Sequence, residues 1–155
     1  MPVYSQAKIV VGAECNLGFE AHHIIHTLRS KHVPHIALHE GPHDSPGILT
    51  TNESKELMCT ALQEMLDFRR IVFSNTFLCL SMDPIECVKL LERQLRTYTI
   101  IVEPPKTAFA RSRKTYSGKV GGNQDDLCIA LQLAILTYRM FVRHDKYSAH
   151  QGRVR

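Results

Sequence analysis

Lys119-Val-Gly-Gly-Asn-Gln-Asp125-Asp126-Leu-Cys-Ile-Ala-Leu-Gln-Leu-Ala134 joins a glycine-rich loop to an apolar helix, with two adjacent carboxylates at the junction. The helix is expected over Cys128 to Val142, with Leu127, Leu131, Ala134, Tyr138 and Phe141 or Val142 lining one face. Asn123 as N-cap with Asp125 and Asp126 in the first turn is ordinary compensation of the helix dipole. The same two carboxylates are also hard oxygen donors of the kind a divalent metal requires.

Working outward, the chain alternates short apolar runs with amphipathic ones, which indicates an α/β fold. Lys8-Ile-Val-Val-Gly-Ala-Glu14 is a β-branched run ending on a carboxylate and predicts a buried strand. A turn at Asn16-Leu-Gly18 leads to a helix with Phe19, Ile24, Ile25 and Leu28 on its apolar side, stopped by Pro34. His35 to His39 predicts a second strand, and Glu40 to Pro46 a loop. Thr50-Thr-Asn-Glu53 offers a capping box for a helix carrying Leu57, Met58, Ala61, Leu62, Met65 and Leu66, closed by Arg69 and Arg70. Ile71-Val-Phe73 is a short strand candidate. Asp83-Pro84-Ile-Glu86 is the clearest helix start, with Val88, Leu91 and Leu95 as the buried face. Tyr98 to Val102 predicts a strand, and Pro104-Pro105 opens a basic connection of about fifteen residues, long enough to be functional.

A chain of 155 residues is long enough for one domain with a sizeable core, and an apolar fraction of 44% suits a globular chain. No apolar run approaches the ~20 residues that span a bilayer, and the N-terminus lacks a signal-peptide layout, so the chain reads as intracellular with no membrane partner. Five cysteines without a CxxC pair read as buried apolar residues rather than a disulfide framework. Net charge is +4. It concentrates in Lys106, Arg111, Arg113, Lys114 and Lys119 and in the tail after Arg143, which suits a polyanion as well as a solvated surface. His22 and His26, and His35, His39 and His43, recur at spacing four. Without cysteine nearby, surface or satisfied histidines explain them better than zinc. A P-loop motif is absent.

Two-metal phosphodiester cleavage requires several carboxylates converging from different elements. Glu14 at a strand end and Asp125 and Asp126 at a helix start could meet if the helix packs on the sheet that holds the strand.

The Lys119–Ala134 stretch closely resembles the final motif of terminase large subunits, the DNA-packaging motor nucleases of herpesviruses and tailed phages. Ile9-Val-Val-Gly-Ala-Glu14-Cys-Asn16 resembles the family's strand ending in Glu. Pro46-Gly47, Thr50-Thr51 and Lys55 resemble the stretch between those motifs, and Ser81-Met-Asp83-Pro84 and Gln94-Leu95 look like the herpesvirus branch. The likeness runs in consistent order through nearly the whole chain. It implies an RNase H-like sheet with flanking helices, in which Glu14, Asp125 and Asp126 are catalytic ligands of two Mg2+ or Mn2+ ions. It further implies that the basic residues from Lys106 to Lys119 lie along double-stranded DNA without reading sequence.

One departure matters. The family site begins with an Asp upstream of the Glu, and here no acidic residue precedes Glu14. The expectation is the C-terminal part of a terminase nuclease without its first strands: residues 1–143 a partial nuclease domain, 144–155 a basic flexible tail. Joined to an upstream segment with the ATPase domain, and working with the portal and other terminase subunits, it would cut concatemeric DNA during genome packaging. The place of action would be the host nucleus if herpesvirus-like, otherwise the host cytoplasm. Two other readings compete: a non-catalytic DNA- or partner-binding fragment, inactive alone for want of the first Asp, and a vestigial product of an unspliced frame.

Overall fold

The computed structural model describes residues 9–16, 20–40, 45–73, 83–105, 112–119 and 124–151, with the backbone alone at 20, 84 and 142–151. Readings placed on Leu17 to Phe19, His43, Ser81-Met82, Lys106, Arg111 and Gly121 to Asn123 lie outside the described residues. The chain is mixed α/β and about half helical, with four helices and three two-stranded sheets among the described residues. It divides into two compact units, Met1–Ser54 with Leu133–Arg155, and Lys55–Gln132. No helix among the described residues is long and apolar enough to cross a membrane.

In the first unit, β1 (Val10–Val11) runs parallel to β2 (Ile36–Ala37), with Val10 opposite Ile36. β3 (His39–Glu40) runs parallel to β4 (Gly47–Ile48). The chain beyond β1 changes partner: Leu38 N donates to Val11 O (3.0 Å), but Ile48 N donates to Ala13 O (2.7 Å) and Cys15 N to Ile48 O (3.0 Å). Ile48 therefore bridges to Glu14 on one side and to Glu40 on the other. Two parallel runs part, and Gly47-Ile48 enters between them. Only glycine fits there: Gly47 has φ +107°, and a Cβ would approach Ala13 O and Ala21 Cβ to 2.8 Å.

α1 (Glu20–Ser30) buries Ile25 and half-buries Leu28 as expected, adds Ala21 to that face, and leaves Ile24 exposed. It stops before Pro34 through a Schellman closure, with Val33 N donating to Leu28 O and His32 N to Arg29 O. His32 takes the left-handed position at φ 54°.

α2 (Asn52–Asp67) buries Met58, Ala61 and Leu62, a narrower stripe than the sequence suggests; Leu57 and Leu66 are exposed at its edges. It closes as α1 does: Arg70 N donates to Met65 O and Arg69 N to Leu66 O, with Arg69 at φ 51°. The helix thus ends before the two arginines. Ile71 to Phe73, read as a strand, forms none, and Val72 is almost fully exposed. α3 (Pro84–Thr97) starts as expected, Asp83 Oδ1 accepting from Ile85 N (2.9 Å) and Glu86 N (3.3 Å). Its most buried residues are Cys87 and Gln94, with Val88, Leu91 and Leu95 half-buried.

β5 (Thr99–Glu103) pairs antiparallel with β6 (Arg113–Ser117), with Ile100 opposite Tyr116. The basic connection is therefore partly a strand, not a loop throughout. Strand propensity and one buried aromatic explain this: Thr115 and Tyr116 favour strand, and Tyr116 is buried while Arg113 and Lys114 stay in water. α4 (Asp126–Gln151) continues nine residues past Val142, through a stretch without Gly or Pro until Gly152. Its buried residues are Cys128, Gln132, Leu133, Ile135 and Thr137, whereas Ala134 and Tyr138 are exposed. The packed face is turned about one residue from the expected stripe, because a glutamine and a threonine share it.

A left-handed Cβ costs ~1–2 kcal/mol in an L-residue. Arg69→Gly should therefore stabilise the chain by about 1 kcal/mol, seen as a higher urea midpoint at unchanged slope. A lower midpoint would show that the Arg69 side chain contributes more than its backbone strain costs.

Candidate metal centre

Glu14 stands at the end of the parallel run, where the strands part. Its Oε1 accepts from Asn16 Nδ2 at 2.7 Å and from the Thr50 hydroxyl. The Thr50 hydroxyl also accepts from Asn16 Nδ2, and Thr50 N donates to Asn16 Oδ1 at 2.8 Å. Thr50 is free for this because the α2 cap is made one residue later. Ser54 N donates to Thr51 Oγ1 (3.2 Å) and Thr51 N to Ser54 Oγ (2.7 Å), a reciprocal box without Glu53. The expected box is thus displaced by one residue. Beside Glu14, burial and the carboxylate charge push the Cys15 thiol up.

In the second unit the two aspartates do different things. Asp125 is buried, and it is the backbone N-cap of α4, its carbonyl accepting from Ile129 N at 2.9 Å. Its carboxylate turns away from its own helix: Oδ2 accepts from Gly118 N (2.9 Å), and Lys119 Nζ lies 4.0 Å from Oδ1. Gly118 must be a glycine here, since a Cβ would come within 2.7 Å of Asp125 Cβ. Asp126 is exposed at the first helical position and makes no hydrogen bond or ion pair with another described residue.

The amides that open α4 are satisfied by neither aspartate. Gln94, buried on α3, accepts with Oε1 from Leu127 N (2.8 Å) and Cys128 N (3.0 Å). Farther along, Gln132 Nε2 donates to Cys128 Sγ at 3.3 Å. Burial pushes the Cys128 thiol up to about 12 and raises Cys59 and Tyr98 as well. These thiols stay neutral near pH 7 and are poor nucleophiles. Cys59, Leu62, Leu95, Tyr98 and Gln132 help line an open, mainly apolar cavity of about 340 Å3.

Comparison with protein-family models, curated proteins and solved structures finds no match. Glu14 lies in the first unit, and Asp125 and Asp126 lie in the second. Among the described residues, no three His, Cys, Asp or Glu side chains gather as a metal site. Of the basic residues, Arg113 is exposed opposite Glu103 on β5, and Lys114 pairs with Glu56 at 2.8 Å, both ends half in water. That pair lowers the Glu56 carboxyl and raises the Lys114 amine.

Sequence reading missed Gln94 as a cap, Gly118 as the partner of Asp125, and Thr50 as the partner of Glu14. A polar residue on the buried face of α3 was the available signal for Gln94. Replacing Gln94 by Leu should strand two amides and cost about 2–3 kcal/mol. Hydrogen exchange at Leu127 and Cys128 should rise with it; unchanged protection would show that the cap is dispensable.

Proposed function

We propose that this chain is the C-terminal part of a terminase-type nuclease domain, RNase H-like in fold, acting on concatemeric double-stranded DNA during viral genome packaging. The observation that carries the reading is Glu14. It ends a parallel strand where the strands part, the usual place for sites in α/β folds, and its carboxylate is held through one oxygen. The ordered motifs from Glu14 to Asp125-Asp126 supply the family.

Hard carboxylate oxygens fit Mg2+ or Mn2+. Glu14 keeps an oxygen clear of its two hydrogen bonds, and Asp126 is exposed at a helix start. Asp125 is committed to Gly118, so we assign Asp126 as the stronger ligand and Asp125 as the anchor that shapes the loop before it. The upstream Asp of the resembled family would supply a third carboxylate, and the proposed partner for that role is the terminase segment that carries the ATPase domain. When bound, two such ions supply an activated water and a counter-charge for the leaving oxygen. Arg113, Lys114 and Lys119, with Lys106 and Arg111, contribute phosphate contacts. The Lys114–Glu56 pair is exposed and screened by solvent, so Lys114 can exchange it for a phosphate. A herpesvirus-type packaging system places this work in the host nucleus, alongside the portal and the other terminase subunits.

A non-catalytic DNA- or partner-binding fragment is the second reading, favoured by the absence of a three-ligand cluster among the described residues. Joined to a segment that supplies the missing Asp, the domain should nick supercoiled plasmid with Mn2+, and Asp126→Ala should abolish nicking. Nicking that survives loss of both Asp125 and Asp126 would sink the assignment. Neutralising Lys106, Arg111, Arg113, Lys114 and Lys119 together should flatten the salt dependence of DNA binding, by up to ~0.9 in log–log slope per lost phosphate contact. An unchanged slope would place the DNA elsewhere.

A further inference from the structure

Gln132 is 1% exposed, and only half of its amide is used. Nε2 donates to Cys128 Sγ at 3.3 Å, while Oε1 is buried without a hydrogen-bond partner. The Tyr98 hydroxyl is buried and unpaired as well. The two side chains are close enough for the amide to act on the phenol, yet neither oxygen completes a bond with the other. Folded chains leave few such atoms, so two at one place ask for a partner. Both residues stand in the wall of the open cavity of about 340 Å3, with Cys59 and Leu62 of α2, Leu95 of α3 and Cys128 of α4. The whole lining belongs to the second unit. It is mainly apolar; burial keeps both thiols neutral, and water meets the polar ends of Gln63 and Asp67, which are exposed.

We propose that this cavity binds a compact, largely apolar molecule carrying one hydroxyl, which donates to Gln132 Oε1 and accepts from the Tyr98 hydroxyl. Gln132 sets the first half of that requirement. Its amide oxygen can only accept, so the ligand has to bring a donor. Tyr98 sets the second half: burial pushes its phenol up, so it stays protonated near neutral pH and has a proton to give. One hydroxyl meets both demands, whereas a methyl group of similar size meets neither. Both oxygens are shut off from bulk water, so a hydroxyl that reaches them meets no competition from solvent. The volume lies at the small end of ligand cavities, whose apolar walls hold a ligand by burial while a few polar groups fix its orientation. The site uses none of Glu14, Asp125 and Asp126, so it stands apart from the nuclease reading.

The test is a titration of the isotopically labelled full chain with a naphthol and, separately, with the matching methylnaphthalene, which has the same shape without the donor. Nuclear magnetic resonance follows the backbone amides of Leu62, Leu95, Tyr98 and Gln132 and the side-chain amide of Gln132. The naphthol should shift these signals and bind about tenfold more tightly than the methylnaphthalene. Tyr98→Phe and Gln132→Met should each remove most of that preference while leaving the affinity for methylnaphthalene unchanged. If circular dichroism melting shows that Gln132→Met fails to fold, Tyr98→Phe decides the matter. Binding of neither probe, or shifts confined to residues outside the cavity, would overturn the proposal. Equal affinity of the wild-type chain for the two probes would overturn it as well, since water or each other would then satisfy the two oxygens. A preference that survives in Tyr98→Phe and Gln132→Met alike would show that neither residue reads the hydroxyl.

Discussion

One side-chain carbonyl sets the second unit. Gln94 Oε1 accepts from two successive amides, Leu127 N and Cys128 N, at the point where α4 begins. A helix start with buried, unpaired amides costs on the order of 1–3 kcal/mol per group, so α4 has to begin where Gln94 can reach it. From that registration the rest follows. Asp125 falls at the cap position with its carboxylate free to hold Gly118, Asp126 falls one step later in solvent, and Cys128 and Gln132 turn inward. A neutral acceptor caps the first amides, so neither carboxylate has to bond them, while both still sit where a negative charge offsets the helix dipole.

The first unit meets a related requirement with different groups. Parting of the parallel runs leaves a gap that Gly47-Ile48 fills, and Ile48 pairs with both neighbours. The chain directly after that insertion carries Thr50, and the chain directly after the Glu14 bridge carries Asn16. Backbone pairing therefore brings together two residues 34 positions apart, with a carboxylate beside them. The polar cluster follows from strand geometry rather than from any local motif.

How much of this the sequence showed depended on how local each interaction was. Asp83-Pro84-Ile-Glu86 was legible because the cap, the fixed proline φ and the acceptor geometry lie within four residues. The alternation that gives an α/β chain was legible too, as were Glu14 and Asp126 as carboxylates at element ends. Faces were read less well. On α4 the inward positions hold Cys128, Gln132 and Thr137, and an apolar count passes over the last two, so the stripe was placed about one residue off. The β6 strand was hidden by Arg113 and Lys114, whose charges point to water from an otherwise ordinary strand. The ends of the first two helices were placed near Pro34 and Arg69-Arg70, but their closure was not legible, because His32 and Arg69 take a conformation that glycine usually supplies. Thr50 escaped as a partner of Glu14 because a threonine before a helix is first read as its cap.

Tandem Thr50-Thr51 offers two hydroxyls for two tasks, one closing the first turn of α2 and one gripping Glu14. The tasks are not interchangeable in the folded chain. If α2 started one residue early, Thr50 would be consumed as the cap and Glu14 would lose a donor; if it started one residue late, Thr51 would leave Ser54 without its partner. The start of α2 and the hydrogen bonds on Glu14 are thus coupled through Thr50-Thr51, one hydroxyl serving each.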